Sequence, residues 1–316
     1  MRKPAAALLA ALALAGVGAC SSKAASDTPT PTRSASTSAY PVTVGGVTLT
    51  AQPTRIISMS PTATDMLFAI GAGAQVIEVD KNSDYFGTPA PAQAPPADID
   101  AFKPSAETIA AKNPDLVVIS DDQNKIVEQL TQLKIPVYRA PAAVTLDDTY
   151  AQETDLGKLT GHVDAAATVV ANEKKAITDA LAGLPARGKP LTYFYELDPT
   201  LYSVTSKTFI GSIFAMAHMT NVADPSDADG KAGGYPQLSA ETVLKADPDL
   251  IFLADAECCQ QTAATVAARP GWSTLSAVKN HHVIDNISDD VASQWGTRVP
   301  QLLQAIVAAA AAVPAS

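Results

Sequence analysis

Two stretches constrain this chain more than anything else in it: SAETIAAKNPDLVVIS from Ser105 to Ser120, and SAETVLKADPDLIFLA from Ser239 to Ala254. They align without a gap and share Ser-Ala-Glu-Thr and Pro-Asp-Leu letter for letter. In each, the serine suits a helix N-cap. The glutamate two residues later falls in the first turn, where the helix dipole favours a carboxylate, and Asn-Pro or Asp-Pro ends the helix. LVVIS and LIFLA are unbroken apolar runs, the pattern of a parallel strand covered on both faces. Each copy is therefore a helix, a turn and a central strand of an α/β layer. Two copies imply two lobes of one architecture, although similarity outside these stretches is weak.

The N-terminus places Arg2 and Lys3 before an apolar stretch from Ala5 to Val17, followed by small residues up to Cys20. This order of charged, apolar and small residues predicts a signal peptide over 1–19, too short and wrongly flanked for a membrane span. Val17-Gly18-Ala19-Cys20 resembles a bacterial lipobox, in which the cysteine becomes the lipidated first residue of the mature chain. Residues 20–39 then fit a lipidated Cys20 with a flexible leash, since Ser21 to Ala39 holds only Ser, Thr, Pro, Ala and three charged residues and cannot bury a core. A net charge of −10 argues against nucleic acid or an anionic membrane surface as partner.

Strand and helix patterns alternate from Tyr40 onward. RIISM predicts a strand over Arg55–Met59, with Ser60 as N-cap and Pro61 at the first position of the helix that follows. QVIEVD, LVVIS and VYRA continue the series, giving an N-terminal lobe over 40–160. A second series begins at LTYFYELD and gives a C-terminal lobe over 187–316. Between them, over 161–186, Val163, Val170, Ile177 and Leu184 recur every seven residues. They predict one connecting helix of about 20 residues, roughly 30 Å long. The expected fold is α/β: two lobes, each a mostly parallel sheet with helices on both faces, joined by that helix.

No nucleophile elbow, zincin helix, phosphate-binding loop or dinucleotide fingerprint is present, so a non-enzymatic protein without a cofactor is expected. No zinc site is expected either, because no Cys or His stands at ligand spacing from Cys258-Cys259. That adjacent pair is either free or joined in a strained disulfide. Aromatic residues are few, and four of them, Tyr85, Phe102, Tyr235 and neighbouring Phe86, fall in polar loops rich in Pro and Gly. Such placement suits a cleft that grips a large flat ligand.

RIISMSPTATDMLFAIGAGAQVIEVD, both SAET…PDL stretches, GYPQLSAETVLKADPDLIFL and RPGWSTLSAVKNHHVIDN together resemble the solute-binding lipoproteins of bacterial ABC importers, in the family that takes up ferric siderophores and cobalamin. The resemblance covers Arg55 to Val307. It implies a monomer anchored by lipid to the outer face of the cytoplasmic membrane. A ferric siderophore or cobalamin would lie between the lobes, and the permease subunits would receive Glu107 and Glu241. Asp84-Tyr85 and Tyr235-Pro236-Gln237 match positions that carry the ligand in cobalamin-binding relatives, with Tyr235 where Trp is usual. The ligand-facing set implied is Tyr85, Phe102, Tyr235, Trp295 and Arg298, with Tyr195, Tyr202 and Lys207 as further candidates. A haem or metal-ion binder and an exported hydrolase are the alternatives.

Overall fold

The computed structural model describes residues 40–83 and 94–314. Cys20, the predicted signal and leash, and Tyr85 lie outside the described residues. Among the described residues ten strands form three sheets. β1 (Val42–Val44) and β2 (Val47–Leu49) make a small antiparallel hairpin. Its two-residue turn, Gly45-Gly46, has φ of +57° and +80°, a conformation that glycine adopts without steric cost.

The first large sheet contains β3 (Ile56–Met59), β4 (Val76–Val79), β5 (Leu116–Ile119) and β6 (Val137–Arg139), all parallel, in the order β4-β3-β5-β6. The second contains β7 (Thr192–Glu196), β8 (Thr220–Asn221), β9 (Leu250–Leu253) and β10 (Val283–Ile284), also parallel, in the order β10-β9-β7-β8. Counted by chain order within its own sheet, each reads second, first, third, fourth. The duplicated sequence therefore sits in a duplicated topology. In such an order the chain reverses direction across the sheet between the first and third strands, which opens a crevice at their carboxyl ends.

The helices are α1 (Pro61–Ala69), α2 (Ala106–Ala111), α3 (Ile126–Gln132), α4 (Leu146–Thr160), α5 (Val163–Ala182), α6 (Phe209–Met216), α7 (Ala240–Ala246), α8 (Ala263–Ala267), α9 (Ser276–Lys279), α10 (Asp289–Ser293) and α11 (Val299–Ala312). They cover both sheet faces. Along β5, Leu116 and Val118 pack into one core cluster while Val117 and Ile119 pack into another. In β9, Leu250 and Phe252 divide from Ile251 and Leu253 in the same way. That two-sided burial is why both runs are apolar without alternation.

α5 is the predicted connecting helix, 20 residues long, and it packs against α4 on one side and α11 on the other. Its apolar stripe differs from the heptad reading in one respect. Val163 is exposed, and the residues buried along the helix are Ala166, Glu173 and Ile177. Inward positions on an α-helix alternate three and four residues apart, so Ala166 and Glu173 share the stripe of Val170 and Ile177 and a glutamate is brought inward, while Val163 lies at the exposed start of the helix.

Candidate functional site

The carboxyl edge of the first sheet carries a cavity of about 280 Å³ at the β3/β5 crevice. Met59 and Ile119 form its floor at the ends of the two strands, and Asp80, Ser120, Gln123 and Phe102 line its walls. Asp80 is buried and accepts hydrogen bonds from the Asn82 amide at 2.8 Å and the Ser83 hydroxyl at 2.7 Å, which fixes that rim. Phe102 is 70% exposed, so it does not fill the core. Its amide donates to Asp100 Oδ1 at 3.0 Å in a turn that holds the ring outward.

The matching edge of the second sheet presents Tyr235, 50% exposed, and Tyr202, 41% exposed. The two lie on paired segments: Tyr202 and Gln237 form an antiparallel bridge, and the amides of Ser203 and Thr205 donate to Pro236 and Gly234 carbonyls at 3.0 and 2.8 Å. Buried Asp227 organises the loop before Tyr235 by accepting from the Ala232 and Gly234 amides, both at 2.8 Å. Gly234 has φ of +93°, and a Cβ there would come within 2.7 Å of the Thr208 side chain, so this approach needs glycine. Lys207 is exposed on the same connection.

Tyr195 takes no part in this surface. It is 1% exposed, in the core of β7, and its hydroxyl donates to the Ala292 carbonyl at 2.5 Å. Burial, chiefly, pushes its phenol far above the ordinary tyrosine range. Arg298 is likewise turned inward at 3% exposure, with Nη1 3.0 Å from Asp290 and Nε 3.4 Å from Asp65 on α1. Thr297 also donates its hydroxyl to Asp65. Trp295, half-buried, donates its indole N–H to Gln152 Oε1 on α4 at 3.1 Å. Trp295, Thr297 and Arg298 thus form a second crossing between the lobes besides α5. A guanidinium so engaged by two carboxylates is committed to the fold, which is the physical reason to doubt it as a free cation for an anionic ligand.

Beside this crossing lies a buried pair that the sequence reading missed. Glu153 on α4 is fully buried and Glu173 on α5 is 6% exposed. Among the described residues no N–H or hydroxyl donor reaches either oxygen of Glu153, which faces the Glu173 carboxyl. Burial first, then the facing Glu173 and more distant Asp65, raise the Glu153 pKa. Glu173 is raised by burial and Asp65 against the opposing effect of its bond with Glu153. A proton shared between them resolves two acceptors in contact. The available signal was Glu173 itself, three residues after Val170 and four before Ile177 on the inward stripe of α5.

A pH dependence follows from this pair. Because both groups bind protons more tightly folded than unfolded, stability declines as pH rises from the ordinary carboxylate range through their elevated values. Asp65, Tyr150, Asp147 and Asp290 add negative or neutral groups around it, and Arg298 and Lys174 are the nearby cations. Glu153→Gln keeps a donor toward Glu173 and removes the charge. We expect it to raise Tm at pH 8 by about 2–4 °C or more, the shift that about 1 kcal/mol makes in a chain of this size class, with the gain vanishing near pH 4. Equal Tm values at pH 8 would sink this assignment.

At the β7/β9 crevice of the second sheet, Glu196 is fully buried and held by Arg269, whose Nη1 and Nη2 donate to its two oxygens at 2.6 and 2.5 Å. The same guanidinium stacks on the Trp272 ring, 4.6 Å from its centroid. Asp255, next to the end of β9, is fully buried, and among the described residues no other residue donates to either of its oxygens. Burial and then the Glu196 charge push its carboxyl up to about 7.

Glu107 and Glu241 are both exposed, in the first turns of α2 and α7. Their caps match: Ser105 accepts from the Thr108 amide at 3.2 Å and Ser239 from the Thr242 amide at 3.0 Å. Among the described residues neither glutamate enters an ion pair. Each helix starts at the carboxyl side of its sheet, because it must return the chain to the start of a parallel strand. The two glutamates therefore share the edge that carries Phe102 and Tyr235.

Comparison with known proteins adds a family. The profile described as "Periplasmic binding protein" matches residues 56–289. The uncharacterized ABC transporter substrate-binding lipoprotein YvrC of Bacillus subtilis is 27% identical over 309 residues, which cover 93% of this chain and 92% of that protein. A vitamin B12-binding protein of Vibrio parahaemolyticus is 26% identical over 275 residues, 84% of this chain and 92% of its own. Among solved structures, the periplasmic heme-binding protein HutB of Vibrio cholerae superposes with a TM-score of 0.70 at 21% identity, covering 80% of this chain and 97% of that one.

Proposed function

The chain belongs to the periplasmic binding protein family, and from that premise we propose that it is the membrane-tethered, extracytoplasmic solute receptor of an ABC importer, with a metal chelate, cobalamin or a ferric siderophore, as its solute. The observation that carries this reading is the pair of exposed aromatic walls, Phe102 on the first lobe and Tyr202 with Tyr235 on the second, each at the carboxyl edge of a sheet of the same topology. Large flat rings set on polar loops suit a bulky, partly apolar ligand. The relatives named above support the cobalamin half of the assignment.

In this reading residues 40–160 and 187–316 are the lobes, 161–186 the connector, and the chain works as a monomer. Tyr85 joins Phe102, Tyr235 and Trp295 around the solute, while Arg298 serves by holding the crossing to the first lobe. Cys20 carries the lipid. Among the described residues no helix is long and apolar enough to cross a membrane, so a covalent anchor at Cys20 would supply the attachment. Binding needs no catalytic group, and among the described residues no cluster of His, Cys, Asp or Glu could hold a metal ion.

Titration with cobalamin, ferric siderophores, ferric citrate, haem and zinc, followed by intrinsic fluorescence, tests the class of solute. Tight binding of haem or zinc with none of the chelates would overturn it. Tyr235→Ala should weaken binding of the preferred chelate by about 1–3 kcal/mol, as loss of a central aromatic contact does. An unchanged dissociation constant would remove Tyr235 from the site.

A further inference from the structure

Cys258 and Cys259 lie in the loop that leaves β9, at the crevice side of the second sheet. Both are exposed free cysteines, with their sulfurs side by side. Adjacent side chains on extended backbone point to opposite faces, so this approach is the work of the loop. The Cys258 amide donates to Asp289 Oδ2 at 2.7 Å, the Cys259 amide to the Asp255 carbonyl at 3.2 Å, and the Gln261 side-chain amide to the Cys259 carbonyl at 3.1 Å. Gln260, with φ of +55°, turns the chain directly after the pair. Backbone bonds on both sides thus hold two thiols together in solvent, where no packing requires them.

We propose that Cys258 and Cys259 are a vicinal dithiol that closes reversibly to a disulfide by exchange with a small-molecule disulfide. Cys259, as thiolate, attacks one sulfur of the small disulfide and expels the other half as a thiolate, which takes up a proton. Cys258 then gives its proton to solvent and attacks the Cys259 sulfur, expelling the second half. Two protein thiols become one S–S bond and one small disulfide becomes two thiols, so electrons and protons balance. The order follows from the geometry: the Asp289 carboxylate lies against Cys258, where it disfavours a thiolate, so Cys259 is the attacking sulfur.

Closure has a structural consequence. An eight-membered ring between adjacent cysteines requires the intervening peptide unit to turn, and that unit carries the Cys259 amide, which donates to the Asp255 carbonyl, while the Cys258 amide outside the ring stays tied to Asp289. Asp289 also accepts from the Glu257 amide at 3.1 Å and donates its own amide to Glu257 Oε2 at 3.1 Å. It opens α10, and the next residue, Asp290, holds Arg298. Oxidation therefore loosens the loop from Asp255 at the end of β9, on the crevice side of the sheet, while its tie to α10 is kept.

The test uses the full chain carrying Cys20→Ser, in which Cys258 and Cys259 are the only thiols. After incubation with oxidised glutathione, both thiols should be lost, with no glutathione retained in the intact mass and no covalent dimer, and dithiothreitol should restore them. Cys258→Ser and Cys259→Ser should each retain one glutathione. A two-thiol chain that keeps glutathione, stays fully reduced or crosslinks to a second copy would overturn the proposal. Hydrogen exchange over residues 259–261 should be about tenfold faster in the oxidised chain, as expected for a locally loosened segment. Unchanged exchange there would overturn the loosening of this loop from Asp255.

Discussion

Alanine at both Glu107 and Glu241 is expected to leave solute affinity unchanged while import and stimulation of the transporter's ATPase fall by about tenfold or more, the loss typical of truncating one side of charge-assisted contacts. The two carboxylates are exposed, identically capped from below by Ser105 and Ser239, and free of ion pairs among the described residues. A negative side chain at a helix start gains only about 0.3–1 kcal/mol from the dipole. Their removal should consequently leave the fold intact, and thermal unfolding of the double variant serves as the control. Reconstitution with the cognate permease reads the result directly. Normal import by the double variant would mean that the repeated stretch records a shared fold and nothing about docking.

Removing Arg269 should have the largest effect on stability. Arg269→Ala strands the Glu196 carboxylate, which is fully buried at the end of β7, and leaves it beside Asp255, a second buried acid. Breaking one side of a buried ion pair costs about 3–5 kcal/mol. Denaturant titration should show that loss at pH 7. Adding Glu196→Gln to Arg269→Ala should recover part of the loss at pH 7. A single-variant loss under about 1 kcal/mol would show that water reaches Glu196 and that the crevice is more open than its burial indicates.

Local signals in the chain were sufficient for much of the architecture. Ser60, Ser105 and Ser239 each cap the helix predicted for them, and α5 runs Val163–Ala182 as its spacing required. These outcomes depend on interactions within a turn or two of helix, which a sequence window contains. Buried strands were legible for a similar reason, since a residue covered on either face must be apolar wherever its neighbours come from. The aromatic walls were legible at Phe102 and Tyr235 because large rings in polar loops have little local reason to be there.

Partnership between distant groups was decided only in three dimensions. Glu196 ends an apolar strand and looks like a surface carboxylate until Arg269 arrives from a segment that sequence spacing does not connect to it. Arg298 looked like a cation offered to an anion, and the fold turns it onto Asp65 and Asp290. Tyr195 and Tyr202 were both candidates for the ligand, and the fold separates them: Tyr195, within the strand read from LTYFYELD, faces the core of β7, and Tyr202, in the segment after it, stands at the sheet edge. By itself the sequence determined the helix after β3, the helices of the two repeated stretches and α5, and which strands are buried, because those depend on neighbours along the chain, while α4 and the short helices α8, α9 and α10 were not read from it. Strand order, the two crevices, the paired acids at the lobe junction and the meeting of Trp295 with Gln152 came from tertiary structure, because a charge or a ring takes its role from whatever the folded chain brings within a few ångströms of it.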